Sequence, residues 1–347
     1  AQGQFYIETK LWAWTCEIES VGFSLYGCSI NSDSYRDIVT VGQSGPYALL
    51  GKANLSSHGG APDWTDGSLN FNYYNTSSDG PALACVDVTG DGLDDIIVGD
   101  YYYRSGSVGG RVLIYNGNTT GTPLATVSRT VQQSNSSVVG LGRAVITGDF
   151  NGDTGKDLAI STSDSGQVFV YLSSSTTGPN WSNAPVQIAA PTAPTTGWGK
   201  ALGAGDFNGD GRSDLVVGWP TAGSNNGALY VYYGSAGSLD ATSDWSATGS
   251  GAIQLGYEIA VGNLDGDSYS DILTIAKGAS GVLYYYEGNS IRQGSNAAKL
   301  ININGTPRRV AFLGTFTTPD LYEDFAVSIT GFGMRAYAGQ ATITSPQ

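Results

Sequence analysis

The nonapeptide DFNGDGRSD, residues 206–214, constrains this chain most, because it recurs. Relatives stand in the same frame at 87–95 (DVTGDGLDD), 149–157 (DFNGDTGKD) and 263–271 (NLDGDSYSD), and two degenerate versions end at Asp37 and Asp324. The six closing aspartates, Asp37, Asp95, Asp157, Asp214, Asp271 and Asp324, lie 58, 62, 57, 57 and 53 residues apart. So regular a period along the chain marks one supersecondary unit used six times.

The pattern inside the unit is a strand pattern. A short apolar run follows each closing aspartate (DIIVGD, DLAIST, DLVVGW, DILTIA), then a Gly-rich turn and an alternating run such as RVLIY or ALYVY. A further run precedes each loop (GRAVITGD, GKALGAGD, YEIAVGN, RRVAFLG), and segments such as APVQIAA or AKLINI supply a fourth. Four antiparallel strands, A to D, in about 40–60 residues make a propeller blade. The expected fold is therefore all-β: one β-propeller domain over residues 1–347, of about six four-stranded blades. A seventh would have to hide between Trp64 and Asn75, where the spacing leaves little room. With 50 Gly and a single Met, and no sustained period of 3.6 residues, the chain suits tight turns and short strands. The aromatic segment QFYIETKLWAW, residues 4–14, belongs to no repeat. It either completes the last blade of its own chain or adds to the edge of a neighbouring copy, making a homopolymer.

Numbered 1 to 9, the loop places side-chain oxygens at 1, 3, 5 and 9 and glycine at 6 in its clearest copy. Odd spacing turns alternate side chains toward one centre, as in the first half of an EF-hand loop, yet no Glu stands at position 12 and no helix flanks the loop. The expected ligands are Asp87, Thr89, Asp91 and Asp95; Asp149, Asn151, Asp153 and Asp157; Asp206, Asn208, Asp210 and Asp214; Asn263, Asp265, Asp267 and Asp271. Leu93, Gly155, Arg212 and Tyr269, at position 7, would add a backbone carbonyl. Three carboxylates within about 4–5 Å repel by several kcal/mol unless a cation neutralises them. All-oxygen donors favour Ca²⁺ over zinc or Mg²⁺. About four Ca²⁺ would change the formal charge from −14 to −6. Asn31, Asp33 and Asp37 of the first degenerate loop are expected to bind weakly, and Phe316, Thr318, Asp320 and Asp324 of the last not at all. The alternative is an Asx-rich turn that caps a hairpin without metal.

The charge of −14 argues against nucleic acid and anionic lipid as partners. No apolar run reaches the roughly 18–20 residues of a membrane span, and no leader opens the chain at Ala1, so any signal peptide is expected to have been removed. Six sequons, at Asn54, Asn75, Asn118, Asn135, Asn180 and Asn304, support a secreted glycoprotein, although an Asn- and Ser-rich chain makes some by chance. Of the three cysteines, Cys16 and Cys28 are near enough in sequence for a disulfide, leaving Cys85 odd; the alternative is three small buried apolar groups.

Taken together, the acidic loop, the apolar strand after it and the small-residue turn resemble the FG-GAP repeats of integrin α-subunit β-propellers. Leu141-Gly142, Trp198-Gly199 and Leu255-Gly256 stand ahead of the A strands, and Gly218-Trp219-Pro220 falls where that family has Gly-Ala-Pro. The resemblance spans essentially the whole chain, most clearly residues 80–290. It implies a calcium-stabilised propeller and carries calcium-ligand roles onto the loop residues above. With about six repeats against the integrins' seven, and no accompanying receptor domains, receptor function does not carry over.

Catalysis has little to rest on. The single histidine, His58, sits in a polar SSHGG loop and reads as solvated, and no GxSxG, HExxH or phosphate-cradling loop occurs. A polysaccharide-acting enzyme working through a carboxylate pair remains a minor alternative. Recognition of an extracellular protein or glycan is the leading expectation, with Tyr101, Tyr102, Tyr103, Trp64, Trp181, Trp198 and Trp219 as stacking candidates, each more readily explained as packing. A structural protomer of an extracellular fibre, joined through residues 1–14, stands beside it.

Overall fold

The computed structural model describes residues 24–42, 45–51, 62–67, 69, 71, 80–106, 108–119, 121, 127–133, 138–174, 178–179, 184–279, 281–289, 298–303, 305–314, 322–330 and 333–339. They divide into two compact units, one of residues 24–147 and 154–185, the other of 148–153 and 186–339. Among them no helix is long and apolar enough to cross a membrane.

In the first unit, β1 (Ser24–Cys28), β2 (Asp37–Gly42), β3 (Gly45–Leu49) and β4 (Trp64–Thr65) form an antiparallel sheet in chain order. Next, β5 (Ala82–Val86), β6 (Asp95–Ser105), β7 (Val108–Tyr115) and β8 (Arg129–Val131) repeat that order. The third repeat contributes β9 (Leu141–Gly148), β10 (Asp157–Thr162) and β11 (Gln167–Tyr171), followed by the short ribbon of β12 (Ser173–Ser174) and β13 (Gly178–Pro179).

The second unit opens with β14 (Val186–Ala189), over the segment expected to supply a D strand. Then β15 (Leu202–Gly205), β16 (Asp214–Trp219), β17 (Ala228–Tyr232) and β20 (Trp245–Thr248) make one sheet, with β18 (Gly234–Ser235) and β19 (Ser238–Leu239) as a small ribbon between. The next sheet is β21 (Glu258–Gly262), β22 (Asp271–Ile275), β23 (Val282–Tyr286) and β24 (Lys299–Asn302). The last has three strands among the described residues, β25 (Pro307–Gly314), β26 (Asp324–Ile329) and β27 (Gly333–Tyr337).

Six repeats thus give six sheets of the A, B, C pattern, and every B strand begins at the expected aspartate. B strands lie between two neighbours and are buried on both faces, which explains runs such as LVV and IIV where an alternating pattern would suit a half-exposed strand. Alternate B residues face opposite ways. Ile96 and Val98 pack with Val39, Val41 and Trp64 of the first sheet, whereas Ile97 packs with Val145, Leu158 and Ile160 of the third. Within each unit the apolar core is therefore a set of layers between successive sheets, as in propeller blades.

One expectation is corrected. Cys28 bonds Cys85, with Cα atoms 6.0 Å apart, and so cannot bond Cys16. Cys28 ends β1 and Cys85 lies in β5, the matching A strand of the next sheet. Strand packing rather than nearness in sequence decides the pairing. Cys16, the segment 4–14, His58, Trp181, residues 316, 318 and 320, and the sequons at Asn54, Asn75, Asn135, Asn180 and Asn304 lie outside the described residues. Asn118 is half-buried just after β7, its N–H donating to the Ile30 carbonyl at 3.0 Å.

Candidate metal centres in the A–B loops

Each acidic loop closes the hairpin between strands A and B. In five sheets the last residue of A pairs with the closing aspartate: Cys28 with Asp37, Val86 with Asp95, Gly205 with Asp214, Gly262 with Asp271 and Gly314 with Asp324.

Inside the loop, side-chain oxygens accept backbone N–H bonds in a fixed ladder. Position 1 accepts from position 4: Gly90 to Asp87 at 2.6 Å, Gly152 to Asp149 at 2.7 Å, Gly209 to Asp206 at 2.6 Å and Gly266 to Asn263 at 2.8 Å. Position 3 accepts from position 5, at 2.9 Å for Asn151 and Asn208 and 3.2 Å for Asp265. Position 5 accepts from position 7, at 2.9 Å for Asp91, 3.0 Å for Asp210 and 2.8 Å for Asp267. These are linked Asx turns, so Asp and Asn at odd positions wind the backbone whether or not an ion is present. The Thr89 hydroxyl lies 3.5 Å from Asp87. In the clearest loop, Gly211 takes φ +84°, and its N–H donates to the second Asp206 oxygen at 2.8 Å.

Position 9 does something the sequence reading did not foresee. One Asp214 oxygen accepts the Phe207 N–H at 2.8 Å and the other accepts the Gly234 N–H, just beyond strand C, at 2.9 Å. Asp271 holds Leu264 and Gly288 in the same way, Asp95 holds Val88 and Gly117, and Asp37 holds Ile30 and Gly51. Asp157 accepts from Ser173, and Asp324 accepts from Gly339. All six are buried. The closing aspartate is thus a staple that joins the start of the loop to the end of strand C. It persists in the degenerate loop ending at Asp37, and of the one ending at Asp324 the bond from Gly339 lies among the described residues.

Burial has an electrostatic cost. Loss of solvation raises the carboxyl of Asp95 to about 6 and those of Asp214 and Asp271 to about 7, against backbone N–H bonds, three to Asp95 and two to each of the others, that pull the other way. Neighbouring carboxylates push in the same direction as burial: Asp91 on Asp95, Asp210 and Asp206 on Asp214, Asp265 and Asp267 on Asp271. Asp37 is raised mainly by burial as well.

Position 8 carries a second device that the ligand-centred reading missed. Its backbone N–H donates to the position 1 carbonyl of the preceding repeat: Asp94 to Ser29, Ser213 to Asp149, Ser270 to Asp206 and Glu323 to Asn263, all at 2.8–2.9 Å. Its side-chain oxygen accepts the position 1 N–H in return, at 2.7 Å for Asp94, 3.1 Å for Ser213 and 2.7 Å for Glu323. The signal was legible, since position 8 is Asp, Ser, Ser or Glu in these four repeats. Position 7 also faces the preceding loop: the Arg212 guanidinium packs on Gly152, and the Tyr269 ring packs on Gly209.

The donor chemistry fits a hard cation, since each of the four full loops offers three carboxylates and an amide or hydroxyl with no nitrogen or sulfur ligand. A carboxylate has about four lone-pair sites, so even the three N–H bonds accepted by Asp87, Asp95 and Asp206 leave each a site with which to ligate. Among the described residues, no three His, Cys, Asp or Glu side chains are grouped so as to hold a metal ion. Of the aromatic candidates, Trp64, Trp198, Trp219 and Tyr101 are buried; Trp198 and Trp219 pack edge to face at 5.5 Å. Tyr102 is 40% exposed.

Comparison with known proteins agrees with the repeat. The profile of the FG-GAP-like repeat matches residues 149–217 and 206–274. The phosphatidylinositol-glycan-specific phospholipase D of Rattus norvegicus is 36% identical over 94 residues, 25% of this chain and 11% of that protein. Integrin alpha-PS3 of Drosophila melanogaster is 29% identical over 163 residues, 42% of this chain. The matched region is only 14% of the integrin, so this chain spans a small part of either relative. Among solved structures, BBS1N in complex with ARL6DN superposes with a TM-score of 0.55 at 11% identity, covering 91% of this chain and 79% of that one. An Agrocybe aegerita lectin described as specific for non-reducing terminal N-acetylglucosamine superposes with a TM-score of 0.52 at 14% identity, covering 94% and 82%. Residues 149–274 thus carry FG-GAP-like repeats, and repeat, strand order and these likenesses make the chain similar to the integrin α-like β-propellers.

Proposed function

We propose that the chain is a secreted, calcium-stabilised recognition propeller that binds an extracellular protein or glycan through the parts that do not repeat. The observation that carries this reading is the sameness of the acidic loops. One ladder and one staple recur from repeat to repeat, and the staple survives in the degenerate copy that ends at Asp37, which is the behaviour of scaffold. About four Ca²⁺ would occupy the loops ending at Asp95, Asp157, Asp214 and Asp271, relieving carboxylates that burial makes hard to ionise. The likeness to an integrin α chain and to a lectin of similar fold favours adhesion or glycan recognition. The phospholipase match, confined to a quarter of this chain, leaves an activity on a polysaccharide or other substrate as a lesser reading. Binding to glycan and matrix-protein arrays in millimolar calcium tests the proposal. Silence on both arrays, or turnover of an acidic polysaccharide by the purified chain, would overturn it.

A second reading has its own observation. The sixth sheet shows three strands among the described residues where the first, second, fourth and fifth show four, and Met334 on its outer strand is 67% exposed. A fourth strand supplied by residues 4–14 of another copy would string propellers into a fibre. Particle size with and without residues 1–14 tests this, and a monomer at high concentration with those residues intact counts against it.

A further inference from the structure

Strand length singles out one hairpin. The other described B strands have five or six residues, but β6 has eleven, and its partner β7 has eight. Beyond a bulge between Asp100 and Arg104, the pairs Arg104–Gly109 and Ser105–Val108 carry the hairpin on as an arm. The base of the arm is braced. The Gly140 N–H donates to the Gly109 carbonyl at 2.9 Å, and Gly110 pairs in parallel with Leu141, so closely that a Cβ on Gly110 would strike the Leu141 backbone.

Arginines and tyrosines clothe this arm. The Arg111 guanidinium carbon lies 3.9 Å from the Tyr103 ring centre, and its Nε pairs with the buried Asp100 carboxylate at 3.0 Å. Arg143 lies over the Tyr101 ring at 4.8 Å, and the Tyr101 and Tyr102 rings lie tilted by 31° with centres 4.4 Å apart. Arg104 is exposed, yet its Nη1 donates to the carbonyls of Tyr101 and Tyr103, each at 2.8 Å. One nitrogen therefore fixes the fork, while Nε and Nη2 carry no hydrogen bond among the described residues. The acids at this end are Asp100 and Asp164, the latter accepting from the Ser163 hydroxyl at 2.7 Å. Among the described residues, Arg104, Arg111 and Arg143 thus stand near two carboxylates, Asp100 and Asp164, both already engaged, in a chain of net charge −14.

We propose that this arm binds a carboxylated glycan, with the Arg104 fork holding the sugar carboxylate and the exposed Tyr102 ring lying against the sugar's apolar face. The proposal rests on the recognition reading above and gives it a ligand class. A guanidinium fork matches a carboxylate bidentately, and one already oriented loses less freedom on binding. An exposed ring two residues from Arg104 on the same arm adds a flat apolar surface that an acidic peptide would not need. Intact protein in calcium is titrated with a hexuronate oligosaccharide, with its methyl ester and with oligo-glutamate, and so are the R104Q and Y102A variants. The expected result is binding of the charged oligosaccharide, weakened roughly tenfold or more by esterification or by Arg104→Gln, and weakened also by Tyr102→Ala. Equal binding of the ester, no binding of the oligosaccharide, or oligo-glutamate binding as tightly and indifferent to Tyr102→Ala would each overturn it. An array ligand that both variants bind normally would remove the arm as the site and leave the recognition reading standing. Both side chains are exposed, so unchanged melting temperatures establish that the variants fold.

Discussion

At the scale of the residue, the closing aspartate joins two roles that differ in their response to calcium. As the acceptor of a backbone N–H just after strand C it serves every repeat; as a ligand it would serve only the four full loops. Asp324→Ala should therefore lower stability by about 1.5–3 kcal/mol, the usual worth of hydrogen bonds to a charged group, and leave the calcium response intact. Asp214→Ala should cost as much and also weaken that response. Urea unfolding with calcium and with chelator measures both, and equal calcium responses in the two variants would remove Asp214 from the ligand set. The raised carboxyls make a pH prediction for the chelated protein. Asp95, Asp214 and Asp271 titrate near 6–7 when folded against an ordinary 3.8, so the folded state binds more protons in that window. Stability is then full below the lower value and is lost as pH rises through the upper one. Chelated protein should unfold at lower urea near pH 8 than near pH 5, and saturating calcium should flatten the difference; a chelated protein steadier at the higher pH would contradict the burial argument.

At the scale of the element, the hairpins were legible because turn chemistry and period speak locally. Six aspartates in frame marked the start of six B strands, and apolar runs marked strands covered on both faces. Contacts between repeats were less legible. The partner of Cys28 was hidden because Cys85 is 57 residues away and only the packing of β1 beside β5 brings them together. The ligand-like spacing also drew attention inward, so the outward jobs of positions 7 and 8 were missed although Asp94, Ser213 and Glu323 stood in the sequence. Two outcomes belong here. Reducing the disulfide, or Cys85→Ser, should cost about 4 kcal/mol from loop-closure entropy, read as a fall in the urea midpoint. Gly234→Ala should cost about 1–3 kcal/mol, since a Cβ there would stand 2.5 Å from the Ser213 carbonyl oxygen and 2.8 Å from that of Phe150. An unchanged midpoint in either case would show that the contact is not strained or not made.

At the scale of the whole molecule, calcium should act as a shared brace. Each filled site adds about 2.7 kcal/mol at a hundredfold excess over its dissociation constant, so chelation should lower the melting temperature and added calcium restore it. A metal-free sample that melts at the same temperature would end the calcium reading while leaving the staples and the fold intact. Composition and period sufficed for the architecture, because a chain so rich in glycine and short apolar runs has few other ways to bury itself. They do not reveal a ligand, since recognition belongs to places where the repeat is broken, such as the long β6–β7 arm, and a single break has no second copy to be checked against.

The position 8 bonds have a consequence in time. The amides of Asp94, Ser213, Ser270 and Glu323 are each held by the repeat before their own, so they meet solvent only when two adjacent sheets part. Deuterium uptake at these four positions would therefore report the opening of seams, separately from the fraying of any one strand, and would time the order in which the array comes undone.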